Sequence, residues 1–114
     1  MRDPASPVLA LVRDLMFVGR ITAEARAAGV AVRVIRDPLQ LTSADPSDLL
    51  VVDLNLSGAT DAAGAWRRAT GGQVVGFVSH VDAAAAAAAR EAGVDRVLAR
   101  SRFVEVLPTL LKGG

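Results

Sequence analysis

Apolar residues fall into two kinds of run along this chain. Five runs are short, with Arg33, Asp53, Asp95 and Arg96 their only charges: Val8–Val12, Val30–Ile35, Leu49–Leu54, Gln73–Ser79 and Val94–Ala99. Runs of that length, rich in branched aliphatic residues, suit strands covered on both faces, as in a parallel sheet. Between them the apolar positions recur at helical spacing. Phe17, Ile21, Ala25 and Ala28 predict a helix from about Met16 to Ala28, stopped by Gly29. Ala62, Trp66 and Ala69 predict a second helix, capped by Thr60 or Asp61 and ended by Gly71-Gly72. Asp82 caps a tract of seven alanines, residues 83–89, that closes on Arg90-Glu91-Ala92-Gly93, and alanine is the best helix former. A last helix starts at Ser101 or Phe103 and turns Val106, Leu107, Leu110 and Leu111 inward. Pro108 fits it best if it starts late, which puts the ring near the first turn. Asp37-Pro38 breaks the second run. The stretch from Leu39 to Ser47 has room for about two helical turns at most, before Asp45-Pro46 leads into the third strand.

The sum is five β/α units in alternation, which demands parallel strands with helices on both faces. The expected fold is α/β, a flavodoxin-like (βα)5 doubly wound parallel sheet with strand order 2-1-3-4-5. Residues 1–7 read as a loose lead-in and 8–112 as a single domain. In this order the carboxyl ends of strands 1, 3, 4 and 5 meet in one cleft, which is where open α/β sheets place ligands. Reading off those ends gives Arg13-Asp14, Asp53, Ser79-His80 and Arg100.

Composition narrows the chemistry. At 114 residues and 52% apolar the chain suits one globular domain. The net charge of +1, with twelve of thirteen basic residues arginine but scattered, gives no footprint for nucleic acid. With no Cys and a single His, His80, thiol chemistry and Cys- or His-rich metal sites are excluded. No signal core or membrane-length run occurs, so a cytoplasmic location is expected. There is no Gly-rich phosphate loop. Ser79, His80 and Asp53 do not read as a triad, because adjacent side chains at a strand end point apart.

The segment Asp48-Leu-Leu-Val-Val-Asp-Leu-Asn-Leu-Ser-Gly58 resembles the phosphoacceptor strand and loop of response regulator receiver domains, the CheY-like modules of two-component signalling. The resemblance extends from Val8 to Leu111. It implies that Asp53 stands where the family takes a phosphoryl group from a histidine kinase. It places Asp14 and Arg13 at the acidic pair that helps hold Mg²⁺, Ser79 at the hydroxyl position, Arg100 at the lysine position and Val97 at the aromatic switch. The chain departs from the pattern at Arg13, where an acid is usual, at Arg100 and Ser101, where Lys-Pro is usual, and at Ser57, where a proline is usual. His80 replaces a small residue at the cleft mouth, where it could gate access. The region of the second helix is short.

These departures share a direction. Aspartyl phosphate formation needs a carboxylate nucleophile and a cation on the transferring oxygens. Arg13 removes one oxygen ligand from the place of Mg²⁺ and adds a positive charge there. Arg13 or Arg100 is therefore expected within salt-bridge reach of Asp53, with no metal in the cleft. Val97 has no ring to swing, which weakens a two-state readout. The plainer readings are a buried paired acid for Asp53, a helix cap for Asp14, a strand end for Ser79, an exposed loop residue for His80 and a core residue for Trp66.

The expected function is a stand-alone degenerate receiver, a pseudo-receiver that is no enzyme. It would act by protein–protein contact, with Mg²⁺-dependent phosphorylation of Asp53 lost or dispensable and no cofactor. A working receiver phosphorylated on Asp53, with Asp14 and Asp53 on Mg²⁺, is the alternative. A small flavodoxin-like anion-binding protein or enzyme is the third reading. The partner surface implied by the family is the face of the fourth helix, fifth strand and fifth helix, which also allows a homodimer; Arg96, Arg102 and Glu105 would rim it. No output segment is expected after residue 111, so the effect is expected to pass through a separate protein, with no direct contact to nucleic acid or membrane.

Overall fold

A computed structural model describes residues 7–42, 47–80 and 82–113. Residues 1–6 of the expected lead-in and the Asp45-Pro46 pair lie outside them. Five parallel strands, β1 (Val8–Leu11), β2 (Val32–Ile35), β3 (Leu49–Asp53), β4 (Gln73–Val78) and β5 (Arg96–Ala99), form one sheet in the expected order 2-1-3-4-5. The α-helices are α1 (Leu15–Ala28), α2 (Ala59–Thr70), α3 (Ala83–Ala92) and α4 (Arg100–Leu111). Among the described residues, the connection from β2 to β3 holds one 3-10 turn, Pro38–Gln40, instead of a helix. The face expected from the fourth helix, fifth strand and fifth helix is therefore α3–β5–α4.

Strand alternation divides the core into two layers. Leu49 and Val51 of β3 pack with Val8, Ala10, Ile21, Phe77, Phe103 and Leu107 on the side of α1 and α4. Leu50 and Val52 pack with Leu9, Leu11, Ala63, Trp66, Ala86 and Ala89 on the side of α2 and α3. Every residue of β1 and β3 is buried, which is why these strands read as unbroken apolar runs. Three rings stitch the first layer. Phe77 stacks on Phe17 at 4.9 Å and on Phe103 at 4.5 Å between centroids, an arrangement worth about 0.5–1.5 kcal/mol per pair beyond burial.

Three element details differ from expectation. Helix α2 starts at Ala59 behind Gly58, whose φ of 82° only glycine adopts readily, and no side chain caps it; Thr60 and Asp61 lie inside the first turn. Its buried stripe is Ala59, Ala63 and Trp66, with Ala69 exposed. Helix α4 begins directly on β5 at Arg100, so Pro108 sits inside it. The early start buries Phe103 in the aromatic stack, and the helix ends three residues after the proline.

Other expectations hold. Asp82 caps α3 by accepting from the Ala85 amide at 2.7 Å, and Gly29 ends α1 with a left-handed φ of 70°. Trp66 is buried, with 2% of its surface exposed. Helices α2 and α3 touch backbone to backbone: a Cβ on Gly64 would fall 1.9 Å from the Ala92 carbonyl oxygen. No helix among the described residues is long and apolar enough to cross a membrane.

Candidate functional site

The sheet delivers the predicted residues to one edge. Asp53 is the last residue of β3, Arg13 and Asp14 follow β1, Ser79 and His80 follow β4, and Arg100 follows β5. By strand alternation from Leu49 and Val51, the Asp53 side chain points toward the α1 and α4 side, in register with Phe77. It is the one buried charged residue among those described, 5% exposed. A carboxylate in such a place needs donors. Among the described residues its donors are both on Asn55, two residues on: the Asn55 amide and its Nδ2 each donate to Oδ1 at 2.9 Å. Asp53 thus closes a local turn as the chain leaves the strand.

Neither the Arg13 nor the Arg100 guanidinium pairs with it, so the expected Arg–Asp53 salt bridge does not form. Arg13 is exposed, and its Nε donates to the Arg36 carbonyl at 3.1 Å, where the chain leaves β2. Arg100 points to α1: Nη2 meets Asp14 Oδ2 at 3.4 Å, and the guanidinium lies 4.6 Å over the Phe17 ring. The reason is geometric. Arg100 opens α4, which packs beside α1 on the same side of the sheet, so its stem runs along the aromatic layer to the cap of α1. The ring face attracts the cation. Asn55 already supplies donors to Asp53.

Asp14 is committed twice. Its Oδ1 accepts from the Met16 amide at 2.8 Å, capping α1, and its Oδ2 takes Arg100. The capping reading of this residue is therefore the one its geometry supports. Among the described residues no three His, Cys, Asp or Glu side chains are grouped to hold an ion. A receiver-type Mg²⁺ asks for a set of oxygens in near-octahedral array. With Arg13 where the resemblance expects an acid, and both oxygens of Asp14 engaged, the described residues do not fit it.

The remaining candidates are placed as follows. Ser79 and His80 are exposed beyond β4. Val97 is buried on the α2–α3 side, 8% exposed. Beside this edge, next to the 3-10 turn, lies a recess of about 590 Å³ bordered by Arg13, Asp37, Leu39, Gly58 and Asp61. Leu39 is 88% exposed on its rim. Two site neighbours escaped sequence reasoning. Asn55 carried a signal, since an Asp-x-Asn at a strand end can close on itself. Phe17 carried none, because a helix-face aromatic does not announce that an arginine from the far end of the chain will lie on it.

No protein-family model and no curated protein matches the chain. Solved structures do. A two-component response regulator from Clostridium difficile superposes with a TM-score of 0.82 at 15% identity, over 95% of this chain and 93% of that one. A Burkholderia pseudomallei response regulator, solved with a phosphorylated aspartic acid, calcium ion and citrate, gives 0.79 at 21% identity; the match covers 93% of this chain but 66% of that one. An orphan response regulator of H. pylori gives 0.74 at 17% identity, over 96% of both chains. Strand order and superposition agree on one architecture: the chain has the CheY-like receiver fold of response regulators, in a sequence far diverged from these neighbours.

Proposed function

We propose that the chain is a degenerate receiver domain that signals by docking to a protein partner, without Mg²⁺-dependent phosphorylation of Asp53. The observation that carries this reading is the double engagement of Asp14. The acid that would hold the cation caps α1 and pairs with Arg100 instead, while its neighbour Arg13 brings a positive charge. Phosphoryl transfer depends on positioning and on neutralising charge at the transferred group. A pocket that offers one buried carboxylate, no seat for a divalent ion and no lysine lacks the parts for it. In this reading Arg100, at the lysine position, is a structural tie between α1 and α4. Ser79 ends a strand, His80 is a surface residue at the mouth, and Val97 fills the core without a switch. The domain spans residues 8–112, needs no cofactor, catalyses no reaction and works in the cytoplasm.

The docking face we favour is α3–β5–α4. The outer surface of α3 is alanine without charge from Ala83 to Ala88, and Arg102 and Glu105 neutralise each other at 2.9 Å on the rim. Such a face costs little to desolvate.

The test is intact mass after incubation with a small phosphodonor and Mg²⁺. The expected spectrum shows unmodified protein. A phosphate-sized gain that requires Mg²⁺ and disappears in Asp53→Asn would establish a working receiver and overturn the proposal.

A further inference from the structure

At the opposite edge of the sheet, α2 and α3 end side by side and turn into β4 and β5. Their last turns carry Arg67, Arg68 and Arg90. These three line one recess of about 330 Å³ with Gly93, Val94 and Asp95. From this arrangement we infer a binding site for a compact oxyanion of the phosphoryl class, carrying at least two negative charges. The inference does not depend on what happens at Asp53.

The charges in the recess do not cancel. Asp95 is fully used: Oδ1 takes Arg67 Nε and Nη2, both at 3.0 Å, and Oδ2 accepts the Val74 amide at 2.7 Å. It neutralises Arg67 and fixes that side chain in the recess. Arg68 donates from Nη1 to the Ala92 carbonyl at 3.1 Å, a neutral partner, so its charge is uncompensated. The Arg90 side chain makes no hydrogen bond or ion pair among the described residues. Among the described residues, two guanidinium groups thus converge on one concavity with no carboxylate paired to either.

Each arginine suits the last turn of its helix, where a cation meets the negative end of the dipole. The dipole does not require that all three share one recess, or that one be tied there by an aspartate from the next strand. The volume lies at the small end of ligand clefts, roughly 300–1,000 Å³. Val94 is 2% exposed, so the recess offers no apolar anchor of the kind that holds a peptide. Planar guanidinium forks match phosphoryl oxygens.

The test titrates pyrophosphate and inorganic phosphate separately into the whole chain, read by calorimetry and by the amide signals of residues 67–70 and 90–95. One-site saturable binding of pyrophosphate is expected, with inorganic phosphate weaker. Arg68→Ala combined with Arg90→Ala should weaken it by about tenfold or more, as expected for loss of charge-assisted bonds. Asp95→Asn, which frees Arg67, should tighten it, and Asp53→Asn should leave it unchanged. Thermal melts of each variant establish that it is folded. The inference is overturned by the absence of saturable binding, by shifts centred on Arg13 and Arg100 instead, by a folded double variant that binds as well as the parent, or by an acidic peptide that binds more tightly than pyrophosphate.

Discussion

Asp14 shows how one side chain can settle the character of a site. Its carboxylate satisfies an orphan amide at the start of α1 and anchors Arg100, so removing it has two consequences. Loss of an N-cap costs about 0.5–2 kcal/mol, and a half-exposed ion pair adds about 0–1 kcal/mol. Asp14→Ala should lower stability by about 1–2 kcal/mol in urea unfolding, whereas Asp14→Asn, which still caps, should lose well under half of that. Equal losses in the two variants would mean that the ion pair, not the cap, is the role of this residue. At this scale the sequence was partly legible. The residue types at the edge, and the capping role of Asp14, could be read from spacing. The partners of Arg13 and Arg100 could not. Arginine is long enough to reach several acceptors, and the choice among them depends on where α1 and α4 lie against each other. The expected pair with Asp53 failed because Arg13 reaches the Arg36 carbonyl and Arg100 reaches Asp14, while Asn55, two residues away, donates to Asp53 Oδ1.

Among the elements, strands were the most readable, because a two-faced sheet writes itself as unbroken aliphatic runs and shifts only the end residues. Helix starts were less so. A glycine with positive φ opens α2 without a side-chain cap, and nothing in the polar residues Thr60 and Asp61 says that they sit within the first turn and not before it. Pro108 misled for a related reason: burial of Phe103 against Phe77 outweighs the lost amide of a proline near the end of α4. The contact between α2 and α3 was invisible in the pattern, since Gly64 looks like an ordinary weak spot in a helix. There the absent side chain is the point. Gly64→Ala would place a methyl 1.9 Å from the Ala92 carbonyl, and backbone cannot rotate away as a side chain can. Overpacking of this kind typically costs about 1–3 kcal/mol, although alanine is the better helix residue by about 1 kcal/mol. A net fall in stability is expected in a thermal or denaturant melt; a rise would show that the two helices separate freely.

For the whole molecule, the order of the strands decides what can meet. It gathers Asp14, Asp53, Ser79 and Arg100 at one end and the three arginines of α2 and α3 at the other. The receiver fold is present, and in the proposed reading Arg13 brings a positive charge where the resemblance expects an acid. On the proposed reading the domain has no ion to lose or gain, and its docking face would be set by folding alone. Titration of Mg²⁺ into the wild-type chain and into Arg13→Asp, followed by the amide signals of residues 13–16 and 52–55, tests this most directly. The wild-type chain should show no saturable binding through millimolar Mg²⁺, while the variant, with an oxygen ligand restored, should gain it at those residues. Saturable binding centred on Asp14 and Asp53 in the wild-type chain would contradict the account.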